Sequence, residues 1–233
     1  MYKKARQFIR FIVDETLMRL LYYIRGATRA RVVDELLHRA AISSADYVEQ
    51  YMGNCLVFEG ATDLWDFAIS KITVAGLIAE FGVWNGYSIN YLAKQRSDTI
   101  YGFDSFEGLK EDWKGHSYRK GKFDRHGVLP SVRPNVVLVK GWFDETLPDF
   151  LAKNEGPFSY IHFDADTYES TAAVLKLIRN RIIKGTVIVF DDYFGYPGWM
   201  HGEHKAWQEF ISSTQAAYEY IAFANWQVAV ITK

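Results

Sequence analysis

Beyond residue 60 the chain alternates short apolar runs with stretches of helical periodicity. Five β-compatible runs fall at 77–82, 99–104, 136–140, 159–164 and 186–191. Between most of them apolar residues recur every three or four positions, notably over 168–180. Strands separated by helices predict a parallel sheet covered on both faces. Two last runs, 219–224 and 227–232, stand too close for a helical crossover and predict an antiparallel hairpin. Before residue 60 the pattern is helical. Phe8, Phe11, Ile12, Met18, Leu21 and Tyr22 recur at helical spacing. A second helix is expected near 30–41, with Val32, Val33, Leu36, Leu37 and Ala40 on one face. The pattern thus divides the chain into a helical cap or oligomerisation segment, 1–60, and an α/β domain, 61–233. The longest irregular stretch, 105–135, is long enough to be read as functional.

Charge changes this picture only at the N-terminus. Residues 1–40 hold nine Lys/Arg against four Asp/Glu, a local +5; with −1 overall, the rest carries −6. A basic membrane-surface helix is one reading of that segment. A cap packed on the core or a neighbouring subunit is the preferred one, because Asp14, Glu15, Asp34 and Glu35 would oppose an anionic surface. The apolar N-terminal stretch is interrupted by Arg10, Asp14, Glu15 and Arg19, so neither a membrane span nor a signal peptide is expected. The near-zero net charge gives no reason to expect nucleic acid. The single cysteine, Cys55, allows no internal disulfide and no paired-cysteine metal site, which fits a cytoplasmic location. Aromatics at 16% suit a deep pocket or an oligomer contact as well as core packing.

Candidate chemistry gathers at the strand ends. "EFGVWNGYS" places Glu80, Gly82, Gly86 and Ser88 at a strand-to-helix turn, where a small ligand can approach the backbone. Asp104 follows Glu80 by 24 residues, one β–α–β step, at the place of a ribose-binding acid. The turn reads G-x-x-x-G behind an acid, not the G-x-G-x-x-G of a nicotinamide site. An acid there repels a pyrophosphate but suits the cationic amino-acid end of S-adenosylmethionine. Further runs end in "HFDAD" and "VFDD". Asp164, Asp191 and Asp192 are expected at neighbouring strand ends, and three carboxylates together call for a hard cation such as Mg²⁺. Asp166 is read as part of a helix N-cap region.

"EFGVWNGYS", "YGFDSFEGL", "VKGWFDETLP", "FDADTYEST" and "VIVFDDY", in this order, resemble the class I S-adenosylmethionine-dependent methyltransferases of the macrocin O-methyltransferase family, over about residues 72–211. The resemblance implies a Rossmann-like fold: a mainly parallel seven-stranded sheet with a C-terminal antiparallel hairpin, helices on both faces, and N-terminal helices. It implies that Glu80, Gly82, Gly86 and Ser88 cradle the methionine part of the cofactor and that Asp104 takes the ribose hydroxyls. Ser105, Gly141 and Trp142 then lie along the adenine. Asp164 is implied as metal ligand and base, with Asp191 and Asp192 as the other ligands. The family's antibiotic branch commonly reads "DGDLYEST", where this chain has Ala165 and Thr167.

The expected activity is a Mg²⁺-dependent O-methylation of a sugar, glycoside or other small hydroxylated metabolite by a homo-oligomer. A metal-independent methyltransferase and a catalytically silent cofactor-binding assembly partner are the alternatives. His201 and His204, four apart just beyond the fifth run, rival Asp164 as base. His162, inside the fourth run, is expected to be a packed, hydrogen-bonded histidine. Trp113, Tyr118 and Phe123, beside Arg119, Lys120, Lys122 and Arg125, suit a wall that closes over a sugar or an anion.

Overall fold

The structure is a computed structural model that describes Thr16, Leu17, Leu20 and residues 31–233. The expected first helix lies outside these residues. The chain divides into two compact units, 1–39 and 40–233. Helix α1 (Val32–Tyr51) runs ten residues past its expected end. In the first unit Val32, Val33, Leu36 and Leu37 are exposed. In the second, Ala40 and Ser44 are buried. Among the described residues no helix is long and apolar enough to cross a membrane.

The large unit continues with β1 (Leu56–Phe58), α2 (Ala61–Ser70), β2 (Leu77–Phe81), α3 (Tyr87–Gln95), β3 (Ile100–Asp104), β4 (Val136–Lys140), α4 (Phe143–Lys153), β5 (Phe158–Phe163), α5 (Tyr168–Ile178), β6 (Ile182–Phe190), α6 (Glu203–Thr214), β7 (Tyr218–Ala224) and β8 (Gln227–Thr232). They form one eight-stranded sheet in the order β1-β7-β8-β6-β5-β2-β3-β4. All neighbours are parallel except β8, which runs antiparallel to both β6 and β7. The expected seven strands are present. The eighth, β1, has three residues, too few for a periodicity, and pairs parallel with β7 at the edge. From β2 the chain winds outward through β3 and β4, then returns to β5 on the other side of β2. That reversal is the switch point where open α/β sheets bind ligands.

The two faces are packed differently. Ile78, Tyr160, Val187 and Val189 face Leu64, Trp65, Ile89 and Leu92 of α2 and α3. The other face meets Leu147, Phe150, Val174, Leu175, Trp207 and Phe210 of α4, α5 and α6. Across that second face Phe103, Phe81, Phe163 and Phe190 form a stacked ladder, with successive ring centroids 4.9, 5.5 and 5.3 Å apart. All four are fully buried, and their strands are in direct register. Each directly precedes the residue that follows at its strand end: Gly82, Asp104, Asp164 and Asp191. The ladder therefore levels four strand ends and sets their next residues along one edge.

Candidate active site

A cavity of about 340 Å³ opens at this edge. It is lined by Gly82, Asp104, Ser105, Gly141 and Trp142 and by Asp164, Asp166, Glu169 and Ser170. The 105–135 segment roofs it with Leu109, Lys110, Glu111 and Phe123. Lys110 bridges to Asp144 at 3.0 Å, Lys114 to Glu169 at 3.0 Å, and Thr167 Oγ1 donates to Glu111 at 2.5 Å. These contacts strap the irregular segment across the cavity to α4 and α5.

Gly82 has φ +93°, and a Cβ there would lie 1.7 Å from the Asp164 carbonyl oxygen. Only a residue without a side chain lets the ends of β2 and β5 close this tightly, with the Asp164 amide donating to the Phe81 carbonyl at 2.9 Å. Asp104 is held by three amides. Oδ2 accepts from Val83 and Trp84 at 2.8 and 2.7 Å, and Oδ1 from Phe106 at 2.6 Å. The turn after β2 is thus clamped to the end of β3, with the carboxylate at the cavity wall.

Five of the eight cofactor positions expected from the sequence line the cavity: Gly82, Asp104, Ser105, Gly141 and Trp142. Glu80, Gly86 and Ser88 do not. Gly86 caps α3 at φ +82°. Glu80 is fully buried; Oε1 accepts from Ser88 Oγ at 2.9 Å, and Oε2 faces His162 Nδ1 at 2.9 Å. Its register explains this: Glu80 lies opposite His162, on the face that meets Trp65. Burial raises the Glu80 pKa, while His162 and Ser88 pull against it. Burial disfavours charge on His162, but Asp191 and Glu80 outweigh it and hold its pKa well above the usual histidine range. The expectation of a packed, hydrogen-bonded His162 holds.

The acids differ from expectation in one member. Asp164, Asp166 and Asp192 place carboxylate oxygens within 4.8 Å of one another. Asp191 turns to the opposite side, toward Gln227 Nε2 and, at 3.6 Å, His162 Nε2. Both residues lie past the last residue of β6, Phe190, where strand pairing no longer sets side-chain direction, and they diverge. Asp166 takes the third place. It sits at φ +61°, a conformation a non-glycine residue adopts at a cost and one that recurs at functional sites. The helix-capping role belongs to Thr167, whose Oγ1 accepts from the Ser170 amide at 3.3 Å.

Burial first, then the charge of Asp191 on Asp164 and Asp192 and that of Glu203 on Asp166, raises the pKa of all three acids well above the usual aspartate range. Glu203, missed in the sequence, completes the acidic shell. It is fully buried in the first turn of α6, accepts from the Asp192 amide at 3.1 Å and Thr171 Oγ1 at 3.2 Å, and burial pushes its pKa to about 8. Three hard oxygen donors with repelling charges fit a divalent cation of the Mg²⁺ class.

The histidines are placed elsewhere. His201 is exposed on the turn Trp199–His201. His204 is boxed by Tyr47, Tyr193 and Trp199 at 4.9, 5.1 and 4.9 Å, and burial pushes its pKa down to about 4. Neither lines the cavity, whereas Asp164 does.

Comparison with known proteins agrees with this geometry. Residues 79–193 match a family described as a methyltransferase domain. A tetracenomycin-C rhamnosyl 4'-O-methyltransferase of Streptomyces olivaceus is 29% identical over 146 residues, 52% of this chain and 54% of that protein. Demethyldecarbamoylnovobiocin O-methyltransferase of Streptomyces niveus is 28% identical over 151 residues, 53% of this chain and 55% of that protein. The chain thus spans about half the length of the curated relatives it matches. The crystal structure of CalS11, a calicheamicin methyltransferase, superposes with a TM-score of 0.61 at 26% identity, covering 73% of this chain and 77% of that one. Its ligand-free form, described as a TDP-rhamnose 3'-O-methyltransferase, gives 0.54 at the same identity and coverage. Motifs, sheet order and relatives converge: the chain carries a class I S-adenosylmethionine-dependent methyltransferase domain similar to those of sugar O-methyltransferases.

Proposed function

We propose that the protein is a divalent-cation-dependent O-methyltransferase acting on a hydroxyl of a sugar or glycoside. The observation that carries this reading is the acid cluster of Asp164, Asp166 and Asp192, two of whose members, Asp164 and Asp166, line the same cavity as Gly82, Asp104 and Gly141. The relatives support it, since two act on a rhamnosyl metabolite or a nucleotide sugar by their names.

Asp104, with Ser105, would hold the ribose side of S-adenosylmethionine, and Gly141 with Trp142 the adenine side. Glu80 and Ser88 act from beneath, by fixing the turn that carries Gly82. S-adenosylmethionine supplies a methyl group already activated on a sulfonium. Asp164, Asp166 and Asp192 would hold a Mg²⁺ ion, which when bound would supply a Lewis acid for the acceptor hydroxyl. Asp164, which lines the cavity, would accept the proton of that hydroxyl when the methyl group passes from sulfur to oxygen. The roof over the cavity excludes water and leaves the acceptor oxygen as the nucleophile. We extend the reading to a homo-oligomer in the cytoplasm.

The test uses the full chain with TDP-rhamnose or an aryl rhamnoside as acceptor. Mass spectrometry follows methyl transfer in Mg²⁺ and in EDTA, and calorimetry measures S-adenosylhomocysteine affinity. Asp192→Asn is expected to abolish the Mg²⁺-stimulated rate while cofactor affinity stays near the parental value. Parental turnover in EDTA would sink the metal-dependent mechanism.

A further inference from the structure

Half-exposed rings follow one another from the cavity roof to the tip of the β7–β8 hairpin. Phe123 lines the cavity. Tyr118 stands 5.4 Å from it, His116 5.1 Å from Tyr118, and Trp226 5.9 Å from His116. Trp226, in the hairpin turn, is 42% exposed. Its position is fixed from both sides. A Cβ on Gly195 would lie 2.4 Å from indole Cδ1, so the ring lies against bare backbone. Its carbonyl accepts from the amides of Tyr193 and Phe194 at 3.0 and 3.4 Å.

Behind the row sit Trp113 and Tyr196, buried, with ring centroids 5.8 Å apart. Trp113 Nε1, Tyr196 Oη and His116 Nε2 are all buried, and none forms a hydrogen bond. Unmet polar groups in an interior are costly and call for an explanation. The Tyr196 hydroxyl is held protonated by burial and by the nearby charges of Asp192 and Glu203, so it remains a donor beside the acid cluster.

A pyranose presents an apolar C–H face and a rim of hydroxyls. It needs rings to lie on and donors at their edge. The row offers both, next to the acids where the reacting hydroxyl belongs. We infer that Tyr118, His116 and Trp226 form the wall of an acceptor subsite for a pyranose ring, with Trp113 and Tyr196 donating to its hydroxyls. The inference rests on the methyltransferase reading above and adds where the sugar sits. Lys122 Nζ, 4.9 Å from the Tyr118 ring centre and 5.4 Å from that of Phe123, gives the wall a cationic edge that the diphosphate of a nucleotide sugar would meet.

The test loads the full chain with S-adenosylhomocysteine and titrates two probes by calorimetry, TDP-rhamnose and para-nitrophenyl α-L-rhamnopyranoside. Saturable binding of at least one is expected. Trp226→Ala should weaken it about tenfold or more, with S-adenosylhomocysteine affinity unchanged. Tyr196→Phe keeps the ring and removes the donor, so it should weaken sugar binding too, and it carries the test if Trp226→Ala does not fold. Binding of the nucleotide sugar alone assigns the diphosphate to the Lys122 edge; binding of both assigns recognition to the sugar ring. Failure of both probes on the parental chain, or parental affinity in the variants, overturns the subsite. Failure of the parental chain to bind S-adenosylhomocysteine overturns the methyltransferase reading instead, and the subsite with it.

Discussion

Asp191 and Asp192 are neighbours in sequence and do different work. Asp192 joins Asp164 and Asp166, while Asp191 faces His162 and Gln227. All four acids lie past the last strand residues, Phe163 and Phe190, and Asp166 has a left-handed backbone, so the periodicity of the strands does not carry over to them. Pairing Asp191 with Asp192 by adjacency overlooked that split. Reading Asp166 as part of a helix cap took a carboxylate away from the site. Glu80 shows the same limit. Its place in the turn motif was legible, but only strand register reveals that it looks inward at His162. A pair of variants separates the roles. Asp166→Asn should weaken Mn²⁺ binding, followed by electron paramagnetic resonance, about tenfold or more, equivalent to about 1.4 kcal/mol. Asp191→Asn should leave that affinity within a small factor of the parental value and lower thermal stability instead, because it uncouples the end of β6 from a buried partner. The reverse ranking would return Asp191 to the metal site.

At the scale of elements, the strands were legible because each buried run ends in the same way: "EFG", "GFD", "HFD" and "VFD". The phenylalanine closes the hydrophobic run, and the next residue opens the site. What the sequence could not convey is that these four rings stack on one another across four strands. That depends on register, which sheet pairing alone determines. Strand β1 escaped notice because three residues carry no periodicity, and the helix α1 ran on because no breaker marks its expected end. The ladder makes a quantitative prediction. Phe163 is fully buried between Phe81 and Phe190. Phe163→Ala removes two ring contacts and leaves a cavity, so it should cost about 3–5 kcal/mol in urea unfolding. It should also weaken S-adenosylhomocysteine binding, since Gly82 and Asp164 stand directly beyond the ladder. A loss of stability with unchanged affinity would separate the ladder from the site.

At the scale of the whole molecule, the buried acids tie stability to pH and to the ion. Glu203 moves from an ordinary value of 4.5 to about 8, and Asp164, Asp166 and Asp192 move well upward, burial being the first cause in each. Glu80 and His162 are raised as well. All six shifts have one sign. Between the unfolded and folded pKa values the folded chain holds protons that the unfolded chain has released. Stability therefore falls as pH rises through that window, by about 1.4 kcal/mol per pH unit for each group in play. For Glu203 the window runs from 4.5 to about 8. A divalent ion acts oppositely. It binds the deprotonated carboxylates, competes with protons at the acidic end, and stabilises the folded chain by mass action at the alkaline end. Differential scanning calorimetry in EDTA should thus show Tm falling from mildly acidic to mildly alkaline pH. Excess Mg²⁺ should flatten that fall, with the gap between the two curves widening as pH rises. Parallel curves would take the ion away from Asp164, Asp166 and Asp192. A Tm that rises with pH in EDTA would mean that the acids are ionised and compensated within the protein itself, and the case for a cation in the cluster would go with it.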